Sequence, residues 1–263
     1  MQGLERDDLA TLAAAGVLTY IAEAMLHEAV GHGGMCMAQG LHFTMLAPLW
    51  MRCSEFSTSV VAAGPAMNVV SATIFCALLR WAMPASVMAS LLLWLAFAFN
   101  ALVACGYLAV GAASGFGDWP ELFASVQPSI AWRLPAGLIA VAGYFGCLRL
   151  AAISFRRFSG GGRIAAARLR RRALVPGAAA AVVACAAEIF GGRLQATGLL
   201  LAIGCTLVVG FSLTSMGDVV SVPAPGDRDL GIIARSHWLI GTALVITLLF
   251  VTVIGPGLEL APP

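Results

Sequence analysis

The sequence predicts an all-α polytopic membrane protein with about seven transmembrane helices. Of its 263 residues, 60% are hydrophobic and 11% are charged, about half the charged fraction of a typical soluble domain. The mean hydropathy is +0.91. Its apolar runs approach the roughly 20 residues that a helix needs to cross a bilayer. A net charge of +2 gives no reason to expect nucleic acid as a partner, so the lipid bilayer is the expected environment.

Seven apolar runs are candidate spans. We place them at residues 9–34, 58–81, 85–113, 130–153, 174–190, 196–213 and 237–254. No small-residue cleavage site follows the acidic N-terminus, so the first run is expected to be a retained span and not a signal peptide. Residues 41–56 include a rough alternation of polar and apolar residues, which predicts a membrane-associated hairpin between the first two spans. Residues 191–193 predict a tight turn, and the polar residues 215–236 predict a loop.

The arginines predict the orientation. Every basic residue is an arginine, and seven of them lie between residues 156 and 172, around a run of three glycines. The positive-inside rule predicts that residues 154–173 form a cytoplasmic loop in contact with anionic lipid headgroups. The N-terminus is then cytoplasmic and the C-terminus lies outside. The end of the first span, the start of the second and the end of the third reach one face, so polar residues from these places can converge.

The most informative stretch is Leu26-His27-Glu28-Ala29-Val30-Gly31-His32-Gly33, at the end of the first span. Two imidazoles and a carboxylate are costly to place in a membrane, so such a cluster predicts a functional site. Two histidines of one helical segment can bind zinc, and an adjacent glutamate is placed to take a proton from water. We therefore predict His27 and His32 as metal ligands and Glu28 as the catalytic base.

The spacing of the two histidines predicts a distorted helix. The familiar zinc helix has histidines four residues apart, whereas His27 and His32 are five apart and would diverge by roughly 140° on a regular helix. A single π-helical turn would return them to one face, and Gly31 and Gly33 make that distortion inexpensive. Glu28 and His32, which are four apart, remain an alternative ligand pair.

A catalytic zinc site generally needs a third protein ligand. Asp118, in the glycine-rich turn after the third span, is the preferred candidate, and a helix-capping role is its alternative. His42 is a second candidate for the ligand. Glu23, one turn before His27, is expected to hydrogen-bond the second nitrogen of that ring.

Asn68 and Asn100 are candidate substrate-binding residues, although hydrogen bonds between helices would explain buried amides equally well. Gly64-Pro65 predicts close packing at the start of the second span.

Three motifs together resemble the site-2 protease group of membrane zinc metallopeptidases, especially compact bacterial members without a PDZ domain. They are the His27-Glu28 motif on an early span, Ala63-Gly64-Pro65-Ala66-Met67-Asn68 at the start of the next, and Gly117-Asp118-Trp119 after the third. The resemblance covers residues 10–121. It implies a metallopeptidase-like core of three helices at residues 1–128, followed by an accessory four-helix region at 129–263.

The resemblance also implies a site and an activity. It implies Zn²⁺ bound by His27, His32 and Asp118, with Glu28 as the general base. It further implies a hairpin that presents substrate as an added strand, and a place in the bacterial inner membrane. We therefore expect a zinc endopeptidase that cleaves membrane protein or peptide substrates in or near the bilayer.

Two other classes of function remain open at this stage. One is a non-catalytic relative that binds or escorts membrane proteins, and the other is a metal or ion transporter, although no inverted repeat is visible. The seven cysteines include no Cys-x-x-Cys, so a cysteine-based metal site is not expected. Cys36 and Cys53 flank the first outer connection and can form a disulfide if that face is outside.

Overall fold

The helices dominate the fold. The structure is a computed structural model that describes residues 6–82, 84–192 and 196–260. In chain order its helices are α1 (Leu9–Ala38), α2 (Thr58–Trp81), α3 (Val87–Ser114), α4 (Asp118–Leu122), α5 (Ile130–Ser159), α6 (Arg163–Phe190), α7 (Gly198–Thr214), α8 (Gly217–Ser221) and α9 (His237–Ile254). Among the described residues, six are long and apolar enough to cross a membrane, and the predicted sixth span is the shorter apolar helix α7. The predicted fold class is confirmed.

The helix boundaries follow from local sequence signals. At the start of α1, Asp8 accepts a hydrogen bond from the Thr11 amide at 2.8 Å. At the start of α2, Ser57 accepts one from the Val60 amide at 3.3 Å. These side chains satisfy amides that have no partner inside their helices. Helix α3 ends at Ser114, and the next residue, Gly115, has a φ of 73°, which is unfavourable for residues with a side chain.

A small sheet lies between the first two spans. Strands β1 (Phe43–Leu46) and β2 (Met51–Cys53) form the predicted antiparallel hairpin. A disulfide joins Cys36 near the end of α1 to Cys53 in β2, which confirms that these two cysteines can pair. Strand β3 (Leu258–Glu259), which follows α9, pairs with the other side of β1. The sequence analysis did not predict this third strand.

The predicted arginine-rich loop at residues 154–173 is wrong. Helix α5 continues to Ser159 and α6 begins at Arg163, so only Gly160-Gly161-Gly162 separates two helix ends. The physical reason is that arginine is a good helix former and that helices can extend beyond the bilayer into the headgroup region. The predicted turn at residues 191–193 is described through Gly192, and Arg193 lies outside the described residues.

The helix bundle has two distinct ends. The arginine end contains the starts of α1 and α6 and the ends of α2 and α5, where Arg157 donates to the carbonyls of Leu79 and Arg80. The hairpin end contains the sheet and the disulfide. A continuous apolar core joins helices from both halves of the chain, and α1 packs so closely on α6 that a Cβ at Gly16 would overlap Pro176.

Candidate metal centre

A wide helical turn brings the two histidines together. Residues Leu26–Gly33 of α1 are π-helical, as the five-residue spacing predicted. The Nε2 atoms of His27 and His32 lie 3.2 Å apart as a result. A regular α-helix would turn these rings away from each other, so the distortion is what makes a shared site possible.

Asp118 completes the cluster from the start of α4. Its Oδ2 lies 3.4 Å from His27 Nε2 and 3.3 Å from His32 Nε2. The three side chains offer ligand atoms within 4.8 Å of one another and could hold a metal ion. This group contains His27 and not Glu28. The structure therefore brings together His27 and His32, and not the alternative ligand pair of Glu28 and His32. His42 is exposed and is not part of the group.

Hydrogen bonds determine which nitrogen of each ring is available. His27 Nδ1 lies 2.7 Å from Asn68 Oδ1, and Asn68 Nδ2 donates to Glu23 Oε1 at 2.6 Å. His32 Nδ1 lies 2.7 Å from the Val60 carbonyl oxygen. Both Nδ1 atoms therefore face acceptors and must carry the proton in a neutral ring. Both Nε2 lone pairs then point into the cluster, as in metal-binding histidines.

The third donor is an anion at neutral pH. Burial acts to raise the pKa of Asp118, but the adjacent rings of His27 and His32 outweigh burial and lower that pKa to about 2. Its Oδ2 is fully buried and takes no hydrogen bond from the described residues. A carboxylate oxygen and two imidazole nitrogens that face one another require a positive charge among them, because their lone pairs repel.

Close packing between α1 and α2 fixes the position of the His32 ring. A Cβ at Gly31 would lie 2.8 Å from the Ala63 carbonyl oxygen and from the Gly64 Cα. A Cβ at Gly64 would overlap the His32 ring itself. The close packing that was predicted around Gly64-Pro65 is present, and its effect is to leave room for an imidazole.

Tyr107 is a site residue that the sequence analysis missed. Its hydroxyl accepts a hydrogen bond from the Asp118 amide at 3.1 Å, and its ring lies edge-on to His27 with centroids 6.1 Å apart. Gly117 has a φ of 95°, and a Cβ there would overlap the tyrosine hydroxyl. The glycine before Asp118 was therefore the available signal that another side chain packs closely against this turn.

A small cavity adjoins the cluster. Its volume is about 50 Å³, and its lining includes His27, Glu28 and Tyr107, together with Pro48 and Leu49 from the turn of the hairpin. Glu28 is buried, with 6% of its surface exposed. One water needs roughly 10–15 Å³ of such volume, so the cavity has room for water beside this carboxylate.

The structure also gives the contacts of Glu23, Asn68 and Asn100. Glu23 does not reach His27 directly, because Asn68 lies between them and bonds both. Each polar atom of Asn68 makes one of these two bonds, so the amide orients His27, and its role in substrate binding stays a prediction. Asn100 donates to the Ala96 carbonyl of its own helix at 2.8 Å, and it is not among the residues lining the site cavity. These roles depend on distances between helices, which a single sequence does not contain.

We compared the chain with known proteins. No family model, curated protein or solved structure matches it.

Proposed function

We propose that this protein is a membrane-embedded zinc metalloprotease that hydrolyses peptide bonds of membrane protein substrates. The observation that carries the proposal is the convergence of His27, His32 and Asp118 beside the buried carboxylate of Glu28. Three protein ligands with an adjacent acid are typical of catalytic zinc sites. The motifs that resemble site-2 proteases supply the same ligand set and the same base.

The distances in the cluster are compatible with the proposed zinc ion. A tetrahedral Zn²⁺ ion with bonds of about 2.0–2.1 Å would hold its ligand atoms roughly 3.3–3.4 Å apart. The three separations between the donor atoms are 3.2, 3.3 and 3.4 Å. Two neutral imidazoles and one carboxylate also form a common donor set for zinc.

The protein residues around the ion would have separate roles. A zinc ion bound there would polarise a substrate carbonyl and lower the pKa of a water molecule. Glu28 would accept a proton from water in the adjoining cavity and then donate it to the leaving amine. Asn68 holds the His27 ring, and the Tyr107 hydroxyl holds the Asp118 backbone.

A larger apolar cavity supports a membrane-embedded substrate. It has a volume of about 590 Å³, lies among α3, α5 and α7, and is lined almost wholly by apolar side chains. It shares Val103, Tyr107, Leu201 and Cys205 with the small cavity at the metal centre. An apolar segment in this cavity would reach the ligand residues past the Tyr107 ring.

The sheet limits how a substrate strand would be presented. Both sides of β1 are paired, because β2 lies on one side and β3 on the other. An added substrate strand would therefore pair with the outer edge of β2, or would replace β3 on β1. The second route would require rupture of the bond from the Leu260 amide to the Thr44 carbonyl, which is 2.9 Å long.

We also propose an orientation in the bacterial inner membrane. Most arginines, including Arg80, Arg157 and Arg172, lie at the arginine end, which the positive-inside rule assigns to the cytoplasm. The disulfide lies at the hairpin end with the metal centre, and disulfides persist in oxidising compartments. The centre then opens away from the cytoplasm.

Green fluorescent protein should fluoresce when fused to the N-terminus but not when exported on the C-terminus, and the reverse result would refute this orientation.

Metal analysis and proteolysis test the proposed function together. We expect about one zinc per purified chain, lost in His27→Ala and His32→Ala but retained in Glu28→Gln. Cleavage of single-span membrane proteins in liposomes should fall by at least about 100-fold in Glu28→Gln, because general bases contribute this much. Full cleavage by that variant would refute the role of Glu28. Zinc-dependent ion flux would favour a transporter, and substrate binding without cleavage would favour an escort protein.

A further inference from the structure

A second candidate binding site lies at the arginine end, across the bundle from the metal centre. It is a cleft of about 340 Å³ between the first turns of α6 and the segment that precedes α1. The residues that line it are Arg6, Asp7, Arg163, Ile164, Ala167, Arg168, Arg171 and Ile232. Four of these eight side chains are arginines, so the cleft is strongly basic.

The acids around the cleft are already paired. Asp7 accepts two hydrogen bonds from the buried Arg172, at 2.8 and 3.0 Å. Asp229 forms an ion pair with Arg168. These pairs leave Arg6, Arg163 and Arg171 in the cleft, and none of the three has an acidic partner among the described residues.

The arrangement of α6 adds to the positive potential. Arg163, Ala167 and Arg171 recur every four residues and so lie on one face of the helix. The small side chain of Ala167 leaves space between the two arginines. Helix α6 begins at Arg163 without a side-chain cap, so the unpaired amides and the positive end of its dipole lie at the mouth of the cleft.

We propose that this cleft binds a phosphate group, with Arg6, Arg163 and Arg171 as its charged donors. Guanidinium groups bind phosphate oxygens in pairs, and three positive charges without acidic partners around one cleft favour an anion there. Ile164 and Ile232 supply apolar surface beside the arginines. The phosphate can come from the headgroup of an anionic lipid or from a soluble phosphate ester, and both sources present the same chemistry. The inference does not depend on the metal centre.

Binding to matched variants tests the site. The full chain in neutral detergent would be titrated with phosphatidylglycerol or with glycerol phosphate, and bound ligand counted by native mass spectrometry. The double variant Arg163→Gln/Arg171→Gln removes two donors of the cleft. The control Arg170→Gln/Arg228→Gln removes the same charge at two exposed arginines outside it. The single variant Arg6→Gln, ahead of the first helix, provides an independent test if the double variant fails to fold.

The expected result is a selective loss of binding. Each arginine near a membrane surface adds to the attraction for anionic lipid, so loss of two should weaken binding at least about tenfold. The control should bind within about twofold of the native chain, and Arg6→Gln should weaken binding several-fold. Competition by glycerol phosphate would identify a soluble ester as the ligand, and its failure would identify a lipid headgroup. Equal losses in the cleft and control variants, or no loss in either, would overturn the proposal.

Discussion

Asn68 is the residue on which the orientation of the His27 ring depends. Its carbonyl oxygen faces His27 Nδ1 and its amide group donates to Glu23. A buried carboxylate thus acts on the ring through an intervening amide. Partners of this kind fix the tautomer of a metal-binding histidine, and their loss typically weakens metal binding 10- to 100-fold.

We expect Asn68→Leu to weaken zinc binding by about 10- to 100-fold, because the ring loses the acceptor for its Nδ1 proton. Competition with a chromogenic chelator would measure the change. Asn100→Leu provides the matched control, since Asn100 is another buried amide that makes no hydrogen bond to the cluster. Equal affinities of Asn68→Leu and the native chain would show that Asn68 does not position the ring.

At the scale of elements, the decisive feature is the contact between the π-helical turn of α1 and the first turns of α2. The turn places both imidazoles on one side, and α2 supplies the Val60 carbonyl and the space at Gly64. Helix α4 then needs only to bring Asp118 to a position that the first two helices have already defined. The candidate metal centre is therefore a product of helix packing and not of one motif.

Gly64→Ala tests that contact. The added Cβ would overlap the His32 ring, so we expect zinc affinity to fall at least tenfold and stability to fall by about 1–3 kcal/mol through overpacking. Gly34→Ala is the control, because a Cβ at Gly34 would have no neighbour within 4 Å. Thermal unfolding and chelator competition would measure both effects. Native-like affinity in Gly64→Ala would contradict the close approach.

At the scale of the whole molecule, a buried ion pair secures the end opposite to the metal centre. Arg172 is fully buried and bonds Asp7, Ser159 and the Gly231 carbonyl. These contacts join the segment before α1 to the end of α5, to α6 and to the loop before α9. The pair couples sequence positions 165 residues apart, so its loss should affect the entire bundle.

We expect Asp7→Asn to cost about 3–5 kcal/mol at neutral pH, because it leaves the Arg172 charge buried without its partner. Burial raises the pKa of Asp7, but the Arg172 side chain and the Ile233 amide outweigh it, so the pKa lies below its ordinary value of 3.8. A lowered carboxyl pKa stabilises the fold above the unfolded value, and that contribution is lost as pH falls through the folded value.

The difference in unfolding temperature between Asp7→Asn and the native chain should therefore be large above about pH 5 and shrink below about pH 4. Asp229→Asn serves as the control. The ion pair between Asp229 and Arg168 is partly exposed, and such pairs contribute about 0–1 kcal/mol to the free energy of unfolding. A difference for Asp7→Asn that does not change with pH would contradict the ion pair as its cause.

The sequence alone determined the membrane class, most span positions and the residues of the candidate metal centre. A helix needs about 20 apolar residues to cross the hydrocarbon core of a bilayer, so spans such as 58–81 and 237–254 could be predicted from the length of their apolar runs. The five-residue spacing of His27 and His32 predicted a wide turn, because a regular helix cannot place both rings on one face. The span positions and the wide turn depend on residues close together in the chain, so patterns in the sequence can predict them.

Only the tertiary structure decided the contacts between distant segments. Strand β3 pairs with β1 across most of the chain, Asn68 lies between Glu23 and His27, and Tyr107 bonds the turn at Asp118. Each contact depends on the rotation and depth of packed helices, which hydrophobic periodicity does not specify. In a membrane, packing between apolar helices depends on close fit and a few polar bonds. A single sequence therefore shows which groups must find partners, and the packed helices determine which partners they find.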